Sequence, residues 1–375
     1  MKILKIAGIV LLVIIVVFIL LLCYAKYRLE NTKDQGDLAK LVDTEAQKFV
    51  DEGKSNGLVI GIVKNGQVYL KGYGSNRKGE NVVPDGKTIF ELASTSKLFT
   101  TSTLQILSDK NLMNLNETIQ SILFDKITLP KIAQNTNLIH LATHTSGFPS
   151  LPNSFIIKMT DTTNPYKDLV TEDIYDYLKQ CEEKKAEGIF EYSNFGMGLL
   201  GHLLEIKTAK NYEQLVKDEL LVPLEMNNTF ITIDNSVQNT IAQGYNEQDQ
   251  PTQIWTDNVL TGAGSFLSNG EDMIKFIKAN INEEYSSLSN SLIKSQNEIK
   301  NTKNGLGWLY PDFIDRFMGV KNIVWHNGMA GGYASYLAID RVNNFGIIVL
   351  SNKSVDVTLL GMTLARYTKT QTFKE

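Results

Sequence analysis

Ser94 and Lys97 stand three residues apart in Ser94-Thr95-Ser96-Lys97, a spacing that sets a hydroxyl and an amine on one face of a helix. A serine becomes a nucleophile when a neighbouring base takes its proton, and a lysine withdrawn from water can be that base. Two other segments share the spacing, Ser75-Asn76-Arg77-Lys78 and Ser291-Leu292-Ile293-Lys294. Taken alone, such a pair reads as a helix-capping serine and a solvated charge. Two downstream motifs set Ser94 apart: Tyr192-Ser193-Asn194 and His326-Asn327-Gly328 each occur once, in that order. A tyrosine close to a buried lysine has its phenolate stabilised and can share the general-base role, while the Asn194 amide can orient a substrate. His326-Asn327-Gly328 runs into Met329-Ala330-Gly331-Gly332, where glycines allow a ligand to lie close to the backbone. An edge strand there offers a backbone N–H as an oxyanion donor. If Thr95 opens a helix, Ser94 sits where unpaired N–H groups and the helix dipole favour developing negative charge.

The remaining histidines support no metal centre. His140 and His144 are four apart, but no glutamate or third ligand completes an H-E-x-x-H pattern, and His202 reads as helix packing. At 43% hydrophobic and 21% charged residues over 375 positions, the chain has the composition of a globular protein with a sizeable core. A net charge of -4 and the absence of a Lys/Arg cluster exclude an electrostatic case for nucleic acid.

The scaffold for these residues begins after an uncharged apolar run, Ile6 to Ala25, flanked by Lys2 and Lys5 on one side and Lys26 and Arg28 on the other. Twenty such residues span a bilayer as a helix and exceed the usual apolar region of a signal peptide, so the run is expected to be an anchor. The charge balance places residues 1–5 in the cytoplasm and the body outside. Of two cysteines, Cys23 lies in this run, so Cys181 has no partner for a disulfide in the body and reads as a small core residue. Residues 26–37 are a polar linker, and the folded body, 38–375, opens with an amphipathic helix from Leu38 to Val50. A hairpin comes next, Leu58 to Val63 and Gln67 to Leu70 about an Asn65-Gly66 turn. After Ser94 the pattern turns mainly helical, including Thr171 to Gln180 and Met197 to Ile206. Strand signals return at Val324-Trp325, Ser335 to Ile339 and Phe345 to Leu350, before a closing helix from Val355 to Thr368. Two α/β segments, 38–93 and 300–375, are therefore expected to enclose a mainly α insert, 94–299.

With these motifs in place, the chain resembles the serine β-lactamase and penicillin-binding protein family, in its class C branch. The likeness runs from about Gly57 to Ser351 and also includes Phe90-Glu91-Leu92-Ala93, His140 to Pro149, Gly262-Ala263-Gly264-Ser265-Phe266 and Gly305-Leu306-Gly307-Trp308. The resemblance implies an α/β (α+β) fold of the β-lactamase/transpeptidase type, an antiparallel sheet flanked by helices around the inserted α region. It implies Ser94 as acylated nucleophile, Lys97 and Tyr192 as the proton-transfer pair, Asn194 as a substrate-amide contact, and the N–H groups of Ser94 and Met329 as the oxyanion hole. His144 belongs to a recurring segment and reads as structural. One departure bears on substrate: the Lys-Thr-Gly or Lys-Ser-Gly of many relatives is absent, and His326-Asn327-Gly328 stands in its place. A largely neutral histidine holds a carboxylate less well than lysine does. The expected protein is a membrane-anchored, envelope-facing serine hydrolase without metal or organic cofactor, acting on D-alanyl peptides or esters of the cell wall and able to take β-lactams as ligands. A class C-type β-lactamase is the alternative enzyme, and a penicillin-binding sensor or scaffold the alternative outside catalysis.

Overall fold

The structure, a computed structural model, describes residues 2–30, 36–182, 184–256, 259–300, 302 and 304–374. Its frame is a five-stranded antiparallel sheet built from both ends of the body. Strands β1 (Gly57–Lys64) and β2 (Gln67–Gly74) form the expected hairpin, with Asn65 and Gly66 both at positive φ, 50° and 84°. Three short strands come next, β3 (Ile89–Glu91), β4 (Gly244–Tyr245) and β5 (Pro251–Thr252), and then β6 (Leu267–Asn269). The late strands are β7 (Val324–Met329), β8 (Ala334–Asp340) and β9 (Phe345–Ser351). The sheet order is β2-β1-β9-β8-β7, so β1 closes against β9 with Leu58 opposite Ser351 and Lys64 opposite Phe345. β7 is an edge strand, and β3 pairs with β6 as a separate ribbon.

Every residue of β1, β8 and β9 is buried, because helices cover both faces of the sheet. Alternation sorts the side chains. Leu58, Ile60, Ile62, Tyr336, Ala338, Ile347 and Val349 pack with the helices Leu38–Asp51 and Thr358–Thr370 on one face. Val59, Val63, Leu337, Ile339, Ile348 and Leu350 point into a larger core shared with the helices Lys97–Asp109, Asn194–Thr208 and Gly270–Ile281. The first body helix is capped by Asp37, whose carboxylate accepts the Lys40 N–H at 3.3 Å, and it buries Leu38, Leu41, Val42, Ala46 and Phe49.

The fold is thus the β-lactamase/transpeptidase-like arrangement expected from the sequence. Cys181 is buried, and Cys23 lies in the N-terminal helix, Lys2–Glu30. Within that helix Ala7–Tyr27 is long and apolar enough to cross a bilayer, and none of it is buried against the body; a signal sequence would share these properties.

Candidate active site

The chain leaves β3 through a tight turn. Ala93 adopts φ +48°, a left-handed conformation that costs a residue bearing a Cβ on the order of 1 kcal/mol, and a 3₁₀ turn over Ala93–Ser96 leads into the helix Lys97–Asp109. Neighbouring hydroxyls pin this turn. Ser335 Oγ, on β8, donates to the Leu92 carbonyl at 2.6 Å and shares a 2.8 Å hydrogen bond with Thr95 Oγ1. The Phe266 N–H donates to Ser96 Oγ at 3.1 Å. From Thr88 to Leu107 every residue is buried except Ser94, which keeps access to solvent.

Lys97 is fully buried, and its Nζ lies 2.8 Å from Ser94 Oγ and 2.5 Å from the Ala263 carbonyl. Its Nζ also sits 5.0 Å from the centroid of the Tyr192 ring, and the Tyr192 phenol is hydrogen-bonded to Ser94. A hydroxyl, an amine and a phenol therefore meet within hydrogen-bonding reach, the geometry that hydroxyl activation would need. Burial pushes the Tyr192 phenol up, against the opposing pull of its bond to Ser94, so in the resting site it keeps its proton. The lysine amine is then better placed than a phenolate to accept the serine proton.

Two imidazoles frame the tyrosine. His144 stacks on it with ring centroids 4.5 Å apart, and the His326 ring centroid lies 6.0 Å away. His144 Nδ1 accepts the Ser193 N–H at 3.1 Å, which leaves Nε2 as the protonated nitrogen; His326 Nδ1 donates to the Asn327 carbonyl at 2.7 Å, which leaves Nε2 as an acceptor. Burial, with a smaller push from Lys97 whenever it carries its proton, holds His326 down to about 3 and His144 well below its ordinary value, so both rings are neutral.

Strand alternation separates the four residues predicted around the histidine. His326 is inward and fully buried, a wall of the site with no surface for a ligand carboxylate. Asn327 points to the opposite face, where its Nδ2 donates to Thr358 Oγ1 at 2.9 Å. Gly328 is inward again, and a Cβ there would come within 2.3 Å of the Leu92 carbonyl and 2.8 Å of the Ser94 nitrogen. Glycine is therefore what lets β7 approach the Ser94 turn. Met329, more than half exposed, lines a pocket of about 70 Å³ together with Ser94 and Asn194. Asn194 opens its helix directly after Ser193, whose hydroxyl caps the Gly196 N–H at 2.8 Å.

The two other Ser-x-x-Lys segments are surface features. Lys78 pairs with Asp249 at 3.2 Å and Lys294 with Asp109 at 2.5 Å, both lysines more than half exposed. Sequence reasoning missed the aromatic and acidic lining of the pocket, Tyr166, Trp255 and Glu91. Glu91 stands in the Phe90-Glu91-Leu92-Ala93 motif, three residues before the serine, and that position was the available signal.

The family model described as Beta-lactamase matches residues 42–367. A protein called Beta-lactamase from Yersinia enterocolitica is 24% identical over 90% of this chain and 93% of its own length. Protein flp from Staphylococcus aureus strain MW2 is 28% identical over 84% of this chain, which spans 63% of the length of that relative. Among solved structures, a β-lactamase/D-alanine carboxypeptidase from Pseudomonas syringae superposes with a TM-score of 0.75, 23% identity, and coverage of 88% of this chain and 98% of its own. A D-alanine carboxypeptidase from Burkholderia cenocepacia gives 0.74 at 20% identity, again over 88% and 98%. With the family model spanning nearly the whole body and the Ser94, Lys97 and Tyr192 side chains converging as described, the chain belongs to the β-lactamase family of serine hydrolases, the group that includes penicillin-binding proteins.

Proposed function

We propose that this protein is an envelope-facing serine hydrolase that forms an acyl-enzyme on Ser94 and acts on D-alanyl peptides or esters. The observation that carries this reading is the 2.8 Å contact between Ser94 Oγ and the buried Lys97 Nζ, beside Tyr192. Lys97 takes the Ser94 proton as Oγ bonds to the substrate carbonyl carbon, and the Ser94 and Met329 N–H groups steady the oxyanion. As the tetrahedral intermediate collapses, the bond to the leaving amine or alcohol breaks and Tyr192 relays the proton to it. Water then attacks the acyl-enzyme with the proton traffic reversed, releasing the acid and restoring Ser94.

His326 favours peptide or ester substrates over efficient β-lactam turnover. It occupies the place where many relatives carry a carboxylate-binding lysine, and it is buried and neutral, so it supplies no cation. The apolar helix before the body, flanked by lysines, supports membrane attachment with the catalytic part outside.

Intact-mass measurement of the protein mixed with a penicillin, sampled from seconds to hours, tests the reading. A lasting adduct that disappears in Ser94→Ala is expected. Hydrolysed drug without an adduct would instead make the protein a β-lactamase, and no adduct with penicillin or with a D-alanyl ester would remove the acyl-enzyme reading altogether.

A further inference from the structure

We infer that Glu91 is a specificity-determining residue, the counter-charge for a free ammonium group carried on the acyl part of the substrate; the inference rests on the acyl-enzyme reading above. Glu91 ends β3 and is only 2% exposed, yet it lines the same small pocket as Ser94. Its Oε2 is buried and has no hydrogen-bond partner among the described residues, while the Trp255 backbone N–H holds the carboxyl group. A buried carboxyl with one oxygen unpartnered is costly to keep unless something occupies it.

The surroundings say what that occupant is. Tyr166 and Trp255 stand edge to face beside it, ring centroids 5.5 Å apart, and both line the pocket. Aromatic walls around an acid attract a cation, through the ring quadrupole and through direct charge pairing. The remaining lining joins the apolar Ala93, Leu260, Ala263 and Gly264 to the neutral polar groups of Asn194 and Ser265, so Glu91 is the one ionisable carboxyl among the lining residues. Burial pushes the Glu91 carboxyl up to about 8, so the acid is largely neutral by itself and a cation beside it favours its ionised form. At about 70 Å³ the pocket holds little more than two water-sized groups, the size of an ammonium and a methyl on one carbon. The favoured acyl group is therefore a short α-amino acyl unit with its amine unblocked, such as a D-alanyl ester.

The test compares a D-alanyl ester with the (R)-lactyl ester of the same alcohol, in which a hydroxyl replaces the ammonium at nearly equal size. The ratio of their kcat/KM values is measured in the native protein and in Glu91→Gln. The intrinsic reactivity of each ester cancels between the two proteins. We expect the ratio to fall by about tenfold or more in Glu91→Gln, with the lactyl rate within about threefold of native, as for loss of a charge-assisted contact. Glutamine can still accept the Trp255 N–H, so a merely structural role predicts an unchanged ratio or equal losses on both esters, and either result overturns the inference. A second measurement uses only the native protein: D-alaninamide should slow penicillin acylation of Ser94 at concentrations where (R)-lactamide does not, and equal protection would also overturn it. If neither ester nor penicillin acylates Ser94, the acyl-enzyme reading fails first; an adduct on Ser94 with no ammonium preference removes only the role of Glu91.

Discussion

Two of the places where a lysine lies over a tyrosine ring, one on the outer face and one at the candidate site, differ in what surrounds the lysine. On the outer face, Lys71 sits 5.4 Å from the Tyr73 ring centroid and donates to Asp43 at 2.7 Å; the Tyr69 and Tyr73 hydroxyls converge on the same Asp43 oxygen at 2.6 and 2.7 Å. In the inner cluster Lys97 lies 5.0 Å from the Tyr192 ring, with the Ser94 hydroxyl and the Ala263 carbonyl as partners. The tyrosines do not tell the two apart, since burial pushes Tyr69, Tyr73 and Tyr192 all upward. The lysines do. Lys71 is half exposed and ion-paired with a carboxylate, whereas Lys97 is fully buried against the Ser94 hydroxyl. A solvated, compensated charge is inert; the same group stripped of water beside a hydroxyl can move a proton.

The strongest way to break this contrast is to remove each lysine in turn. Lys97→Met should slow acylation of Ser94 by roughly a thousandfold, the scale of a lost general base. Lys71→Met should leave acylation within about twofold and stability within about 1 kcal/mol. Stopped-flow acylation by a chromogenic β-lactam, with thermal denaturation as the control, reads both. Comparable losses in the two variants would erase the distinction.

Removing the phenol oxygens is the next test. Tyr192→Phe should cost about a hundredfold in acylation with little loss of stability. Tyr73→Phe should show the reverse: normal acylation and a stability loss of about 1–2 kcal/mol, because a hydrogen bond to a part-buried carboxylate goes missing.

Acid stability sharpens the contrast by a readout that needs no substrate. His326 is held near 3 in the fold against an ordinary 6.5, so the unfolded chain binds the extra proton, and stability falls as pH drops from about 6.5 towards 3, by about 5 kcal/mol at most. Asp43 behaves differently. Burial raises its carboxyl, but the hydrogen bonds from Lys71, Tyr69 and Tyr73 outweigh that and leave it below 3.8; its contribution stands above that pH and disappears only below it. With the carboxylate partly exposed, that contribution is within about 1 kcal/mol. Melting temperatures between pH 4 and 6 should therefore lose part of their slope in His326→Gln, His144 supplying the same kind of contribution, and keep their slope in Asp43→Asn.

The helix, hairpin and strand pattern of the body was legible because period and turn residues are local signals: Asn65-Gly66 needs no tertiary context to specify a hairpin. Ser94 and Lys97 were legible for the same reason, since their relation is one helical step. What escaped was orientation. Taking His326, Asn327, Gly328 and Met329 together as one substrate surface ignored that successive strand residues face opposite ways; pairing with β8 decides that His326 and Gly328 turn inward and Asn327 outward. Tyr166 and Trp255 were beyond local reading, because only the closed fold brings residues so distant in sequence around one small cavity; Glu91 had its place three residues before Ser94 as a signal.

The closure of β1 on β9 and the clasp of Ser335 on Leu92 also dictate when the Ser94 turn can form. The Leu92 carbonyl waits for a hydroxyl that is synthesised 243 residues later, an interval on the order of ten seconds or more at ordinary translation rates. Until β7, β8 and β9 arrive, the Ser94 turn has no strand to rest on, and Gly328 is not there to bring the edge strand against it. A chain that lacks these strands thus carries Ser94 and Lys97 yet not the turn that holds them together. The geometry of the candidate site is the last thing the chain can assemble.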